Sequence, residues 1–345
     1  MPIFDQGYQH WEGRLSGQST RWLAITRRGV AVAMGNRWTR LTVLFSLVPP
    51  IFLALFLVFW GLFEQKSSFL TPFMIFLENL PPELKDGPRG YRTTIWTLAF
   101  RQFFEVQLVF PMILTLLVGP DLISQDLRFN AIPLYLSRPV RRFEYFLGKL
   151  GVVTAYLGAV TIGPVLLAFA AGYAFSLDPR VVVDTGRVLA GSLAYAAIVT
   201  ASAGLLMLAF SSLSRNSRYV AAMWLGFWFV SSIASGVLQT TVRADWCPLI
   251  SYRTNLDRIR DALLDSEASW GRMTSLGQVS PRSLPMRPFQ PPRRRRYRPD
   301  DDPQRRSVWA PRTYPWPWSA AVLAGLAVAS LLVLTTRVRG LDRLR

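Results

Sequence analysis

The stretch LTVLFSLVPPIFLALFLVFWGLF, residues 41–63, contains no charged residue and decides the fold class of the chain. As an α-helix its 23 residues extend about 34 Å, which is enough to cross the hydrocarbon core of a bilayer. It is apolar on every face, so such a helix has no polar stripe to turn toward water. Pro49 and Pro50 predict a bend near its start. We therefore predict that this stretch is a transmembrane helix.

Five further apolar blocks of similar length follow, separated by stretches rich in Arg and Pro. The second predicted span must begin near Thr93 to be long enough, and it ends at Val118. The other four predicted spans are residues 150–175, 188–210, 219–238 and 318–334. With 51% apolar residues collected in bilayer-length blocks, the chain is predicted to be all-α, a polytopic integral membrane protein with six transmembrane helices.

The formal net charge of +18 comes from 36 Arg and 3 Lys against 21 acidic residues. Because these cations flank the apolar blocks, anionic lipid headgroups explain them more simply than nucleic acid, which is not expected as a partner. Six spans place both termini on one side of the membrane, and both are basic. The positive-inside rule therefore predicts cytoplasmic termini, in the cytoplasmic (inner) membrane of a bacterium.

The predicted organisation has four parts. Residues 1–40 form a cytoplasmic N-terminus, and residues 41–240 hold five spans with a cytoplasmic loop at 121–149. Residues 241–317 are predicted to form a long extracytoplasmic loop, although they hold 15 Arg, because the charge rule loses force in long loops. Its Pro- and Arg-rich part, 280–317, is not expected to form a packed core, whereas 249–264 has helical spacing and is a candidate to fold against the membrane. Residues 318–345 form the sixth span and a basic cytoplasmic tail.

Two opposite charges lie inside the second predicted span. Arg101 and Glu105 are one helical turn apart, so their side chains can form an intramembrane pair. Charges at membrane depth are costly and often functional. The alternative is that Arg101 extends to the interface and Glu105 merely balances it there; both interpretations stay open.

No enzyme motif is found in the sequence. A GxxxxGK[ST] phosphate loop is absent, since Gly148-Lys149 is followed by Leu150 and lacks the preceding glycine. Cys247 and His10 are the single residues of their types, too few for a Cys/His metal site or a His-dependent triad. We therefore predict no catalytic residue, no metal and no bound cofactor, so active transport would need energy from another polypeptide.

The loop between the second and third spans is the most informative stretch, and residues 119–149 read GPDLISQDLRFNAIPLYLSRPVRRFEYFLGK. A short amphipathic helix is predicted from about Leu122, bent or ended by Pro133. Its polar side would carry Gln125, Asp126 and Arg128, and its apolar side Leu122, Ile123 and Leu127. Arg141, Arg142 and Lys149 are predicted to anchor the next span at lipid headgroups. From the residues alone, an ordinary basic cytoplasmic loop is the simpler interpretation.

This loop resembles that of the type 2 ATP-binding-cassette (ABC) permease family, most closely its single-domain six-span members. The matching residues are Asp121, Ile123, Leu134, Leu136, Ser137-Arg138-Pro139-Val140, Arg142, Glu144 and Leu147-Gly148-Lys149. The resemblance extends over nearly the whole chain but leaves 280–317 without a counterpart. It departs from the family where many members carry Glu-Arg followed by a glycine, because Gln125 to Arg128 stand there instead.

The resemblance implies the permease subunit of an ATP-driven exporter, which pairs with a second permease copy or paralogue and two cytoplasmic ATPase subunits. ATP and magnesium would be bound by those ATPase subunits. The loop would be a coupling helix that contacts the ATPase through Gln125, Asp126, Arg128, Ser137, Arg138 and Pro139. An amphipathic elbow helix is expected at 19–38. Two alternatives remain: a membrane scaffold that uses an ATPase for mechanical or regulatory work, and an ion-coupled secondary transporter.

Overall fold

The computed structural model describes residues 20–65, 87–131, 135, 141–176, 178–242, 244–279 and 314–341. Within these ranges the chain forms helices and no strand. The α-helices are α1 (Arg21–Met34), α2 (Arg37–Phe45), α3 (Val48–Glu64), α4 (Arg92–Gln107), α5 (Val109–Val118), α6 (Asp121–Arg128), α7 (Arg142–Ser176), α8 (Arg180–Leu213), α9 (Ser217–Thr241), α10 (Tyr252–Leu264), α11 (Ser266–Val279) and α12 (Trp316–Leu341). Short 3₁₀ turns occur at Pro88–Tyr91 and Cys247–Ile250.

Among the described residues, six helical stretches are long and apolar enough to cross a membrane. They are Arg37–Glu64, Pro88–Arg128, Phe143–Ser176, Arg180–Leu213, Ser217–Thr241 and Trp316–Arg337. Each overlaps one predicted span, so the prediction of an all-helical chain with six candidate spans is confirmed. The stretches extend beyond the apolar blocks because helices continue through the polar residues at their ends.

The first span is interrupted near the two prolines, as the sequence predicts. Helix α2 ends at Phe45, and α3 begins at Val48 with Pro49 and Pro50 in its first turn. Proline is tolerated there because the first backbone N–H groups of a helix have no partner within it. Between the two helices, the Ser46 hydroxyl donates to the carbonyl of Val43 at 2.7 Å.

Helix α7 organises the packing of the bundle. It packs along α3 and α8, and α1 lies against its first half. Val152 and Val165 of α7 are fully buried in the common core. Gln107 of α4 donates to the carbonyls of Ser46 and Val160, so a buried amide bonds the first, second and third spans together.

The bundle has two ends, which we name by their polar contacts. At the Arg92 end, the 2% exposed Arg92 side chain is bonded to carboxylates from three different parts of the chain. Its Nε lies 2.9 Å from Glu64 Oε2, its Nη2 lies 3.0 Å from Asp178, and its Nη1 lies 2.9 Å from Asp184. At the opposite α6 end lie α6 and the first turns of α7 and α9.

Helix α10 lies within the bundle rather than on its surface. The Tyr252 hydroxyl is 2.8 Å from Ser202 Oγ, and at the other end of α10 the Leu263 carbonyl lies beside Gly191. Positions 191 and 202 are about 16 Å apart along α8. After α9 the chain thus re-enters the bundle as far as Ser202. It then runs along α8 toward Gly191 as helix α10. The region 249–264 is helical, as its spacing indicates; 280–313 lies outside the described residues.

Candidate functional site

Helix α6 is attached to the turn between α8 and α9. The backbone N–H groups of Ile123 and Ser124 both donate to Ser211 Oγ, at 3.0 and 3.1 Å. The Ser211 hydroxyl donates in turn to the Pro120 carbonyl at 2.9 Å, and Ser124 Oγ lies 2.9 Å from Ser217 Oγ. These bonds satisfy N–H groups that the first turn of a helix leaves without partners. The start of α6 is therefore held firmly by the fourth and fifth spans.

The other end of α6 is attached to α7 through Asp126. Its Oδ2 lies 2.6 Å from Lys149 Nζ and 2.6 Å from the Tyr145 hydroxyl, which donates to it. Asp126 and Lys149 are only 13% and 12% exposed. Lys149 also lies above the rings of Tyr145 and Tyr135, and burial together with the charge of Asp126 raises the pKa of Tyr135.

These contacts correct the predicted orientation of two residues. Asp126 was expected on the outward polar side of the loop helix, and Lys149 at the headgroups. The structure turns both inward, because a carboxylate and an ammonium shielded from water satisfy each other better than either would alone. Asp126 thus belongs to the attachment of α6 rather than to its free surface.

Gln125 and Arg128 remain on the exposed side of α6, and Phe129 after its last turn is 71% exposed. The Arg128 guanidinium lies 5.5 Å from the centre of the Phe129 ring. Asn130 then adopts the left-handed conformation, with φ 47°, which ends the helix before Pro133. The apolar residues Leu122 and Ile123 are buried, as their spacing predicts.

Some predicted site residues lie where the structure says little or nothing. Ser137, Arg138 and Pro139 are outside the described residues. Arg141 is exposed, and its backbone N–H donates to Glu144 at 2.8 Å. Arg142 begins α7, and its side chain is outside the described part. The described residues contain no group of three His, Cys, Asp or Glu side chains able to hold a metal ion.

The predicted elbow forms a helix, α1, which packs on α7. The Thr26 hydroxyl donates to the Gly148 carbonyl at 2.9 Å, and the Tyr156 hydroxyl donates to the Val30 carbonyl at 2.8 Å. Since residue numbers rise together in both pairs, α1 runs parallel to α7. This arrangement explains why Trp22, Ile25 and Val30 are shielded on the α7 side of the helix.

A second polar cluster joins α4 to α10 inside the bundle. Arg101 Nε lies 2.9 Å from Asp261, whereas Glu105 lies 2.8 Å from Arg260 and 3.0 Å from Arg253. Arg260 is fully buried and also lies within 3.2 Å of Asp261. The sequence predicted a pair between Arg101 and Glu105, and the structure gives each of them an ion pair with α10, the helix that returns into the bundle.

From the sequence we did not predict that Arg253, Arg260 and Asp261 of α10 form ion pairs with α4, because we assigned them to a loop. The signal was present in Tyr252–Leu264, where charges alternate with Leu256, Ile259 and Leu264 at helical spacing. An amphipathic pattern, however, does not distinguish a helix lying on a membrane from one whose charges are matched by another span. Likewise Glu64, Asp178 and Asp184 read as ordinary loop acids until Arg92 brings them together.

No protein-family model matches the chain, and comparison with curated proteins finds no match. The resemblance to a permease family therefore depends on the residues of the loop and on the six-span pattern.

Proposed function

We propose that the chain is the membrane-spanning permease subunit of an ATP-binding-cassette exporter, powered by separate ATPase subunits, with a second permease copy or paralogue beside it. The observation that carries the proposal is the construction of α6. The helix presents Gln125, Arg128 and Phe129 outward while its other side is bonded to Ser211 and Lys149. A surface helix attached at both ends to different spans suits the transmission of force from a partner.

The proposed mechanism follows from these attachments. ATP binding would draw the two ATPase subunits together and move the surface on which α6 rests. Because the start of α6 is bonded to Ser211 and Ser217, that motion would reach α8 and α9. Because Asp126 is bonded to Lys149 and Tyr145, it would also reach α7. The two transport states would then differ in how these spans pack.

The test of this function separates the outward residues of α6 from its internal attachment. We expect the full chain, purified in mild detergent, to bring an ATPase subunit with it. The Gln125→Ala/Arg128→Ala variant should bind that ATPase about 5- to 150-fold more weakly, as expected from losing polar contacts worth about 1–3 kcal/mol. Arg187→Ala is the matched control, since Arg187 is also exposed but lies toward the Arg92 end of α8.

Asp126→Asn gives a second readout. This variant should leave ATPase binding nearly intact but uncouple ATP hydrolysis from transport, because the contact of Asp126 with Lys149 of α7 is weakened. If no ATPase co-purifies with the unmodified chain, the permease assignment fails. If Gln125→Ala/Arg128→Ala binds and couples normally, α6 is not the contact helix.

One observation favours a second candidate, an ion-coupled secondary transporter. Glu105, Asp257 and Asp261 lie inside the bundle, where carboxylates can carry protons or cations. Each forms an ion pair with arginine, however, and a transported ion would have to displace that arginine in every cycle. Transport by proteoliposomes that depends on a pH or sodium gradient, without ATP, would establish this candidate instead.

A further inference from the structure

A cleft of about 1050 Å³ opens between α1 and the surface formed by α5, α6 and α7. One wall is the polar and cationic side of α1, and the opposite wall includes Leu117, Val118 and Leu122. Val152 of α7 lies on the floor. The cleft thus combines apolar walls with charges at the α6 end of the bundle, where chain and lipid headgroups would meet.

The charges lining the cleft are predominantly positive. Arg21, Arg27 and Arg28 all contribute to its lining, and Arg21 and Arg28, seven residues apart, lie on one face of α1. Asp126 also lines it but is already paired with Lys149. Among the lining residues, Asp121 then remains as the one acidic group beside the guanidinium groups of Arg27 and Arg28. The cleft is therefore suited to an anion.

We propose that this cleft binds one anionic glycerophospholipid. Its phosphate would be held by the guanidinium groups of Arg27 and Arg28, and an acyl chain would cover Leu117 and Val118. A free phosphate would leave these apolar walls exposed to water. The site goes beyond the proposed transport function and does not require an ATPase.

The experiment measures lipid binding to the purified full chain in neutral detergent by native mass spectrometry. With phosphatidylglycerol as the probe we expect one tightly bound lipid per chain, and weaker binding of phosphatidylcholine. Arg27→Gln/Arg28→Gln should bind phosphatidylglycerol about 10-fold more weakly, the expected effect of losing charge-assisted hydrogen bonds. Arg215→Gln/Arg218→Gln is the matched control, because these arginines are exposed near the α6 end but do not line the cleft.

Circular dichroism confirms that each variant is folded. Equal loss in the Arg215/Arg218 control would mean general attraction to anionic headgroups and would overturn the site. Equal competition by glycerol phosphate would show a small-anion site instead of a lipid site.

Discussion

Arg92 and Arg260 are both almost completely buried. Arg92 binds carboxylates from three separate parts of the chain, whereas Arg260 binds Glu105 of α4 together with Asp257 and Asp261 of its own helix. A guanidinium removed from water is costly unless its donors are all directed at acceptors. Several carboxylates around one guanidinium group meet this condition, because its planar N–H donors match carboxylate oxygens in geometry. These two residues thus fix how spans assemble, since a shifted helix would leave a buried charge without its partner.

Exchanging the charges of Arg101 and Glu105 tests which residues they bind. The Arg101→Glu/Glu105→Arg variant places a carboxylate beside Asp261 and a guanidinium beside Arg260 and Arg253. We expect it to melt well below Glu105→Gln, which alone should cost about 1–3 kcal/mol because Glu105 is partly exposed. Differential scanning fluorimetry in detergent measures both. An exchange variant that melts above the single variant would show that Arg101 and Glu105 stabilise each other directly.

Asp178 is expected to make the stability of the folded chain depend on pH in the acid range. Its carboxylate accepts from the Arg180 backbone N–H and from Arg92, both at 3.0 Å, and these donors hold its pKa below the ordinary value of 3.8. A depressed pKa stabilises the folded state above the ordinary value, and this contribution disappears as pH falls through the folded pKa. We therefore expect Asp178→Asn to show less loss of thermal stability than the unmodified chain below about pH 4.

The control for this prediction is Asp245→Asn, which alters an exposed carboxylate on a connecting segment. Melting temperatures recorded from pH 6 to pH 3 compare the two variants with the unmodified chain. Parallel curves for Asp178→Asn and the unmodified chain would mean that its bonds to Arg180 and Arg92 contribute nothing.

At the scale of elements, α1 is positioned by an unusually close approach to α7. A Cβ atom at Gly148 would lie 2.7 Å from Ile25 Cβ, and one at Gly151 would lie 2.4 Å from the Thr26 hydroxyl oxygen. Both distances are shorter than atoms tolerate. The helices therefore touch only because these two residues have no side chain.

We expect Gly148→Ala to separate α1 from α7 and to destabilise the chain by about 1–3 kcal/mol, because the obstructing atom is a branched Cβ that cannot rotate away. Gly158→Ala is the matched control in the same helix, where the nearest atom is an ordinary 3.9 Å contact. That substitution should be neutral or slightly stabilising, since alanine is the better helix former. Denaturation midpoints measure both, and equal midpoints would contradict the close packing of α1.

The sequence predicts well those elements whose environment depends on their apolar residues alone. Residues 41–63 have a single satisfactory environment, the bilayer, and the start of α6 follows from the pattern of Leu122 and Ile123. The inward direction of Asp126 and the depth of α10 were not predictable in this way. In both cases one charged residue is matched by another far along the chain, Lys149 or Glu105, and local spacing holds no information on such partners.

At the scale of the whole molecule, six candidate spans alternate between the two ends of the bundle. The α6 end gathers exposed arginines, including Arg27, Arg28 and Arg218, whereas the described acids Glu64 and Asp184 lie at the Arg92 end. By the positive-inside rule, the more basic α6 end would lie on the cytoplasmic side of the membrane. The connection from α9 to α12 would then begin and end on the outer side despite its own arginines, with α10 returning from there into the bundle.

Cysteines introduced one at a time test this orientation. The native Cys247 is fully buried, so we do not expect it to react with a maleimide. We expect Ser307→Cys, within the predicted outer loop, to react with a membrane-impermeant maleimide while the membrane that holds the chain is intact. Arg215→Cys, exposed between α8 and α9, should react only after that membrane is lysed, since it lies at the α6 end. The unmodified chain, carrying Cys247 alone, measures the background. The reverse pattern would place the arginine-rich loop in the cytoplasm, and an ATPase could then no longer reach α6.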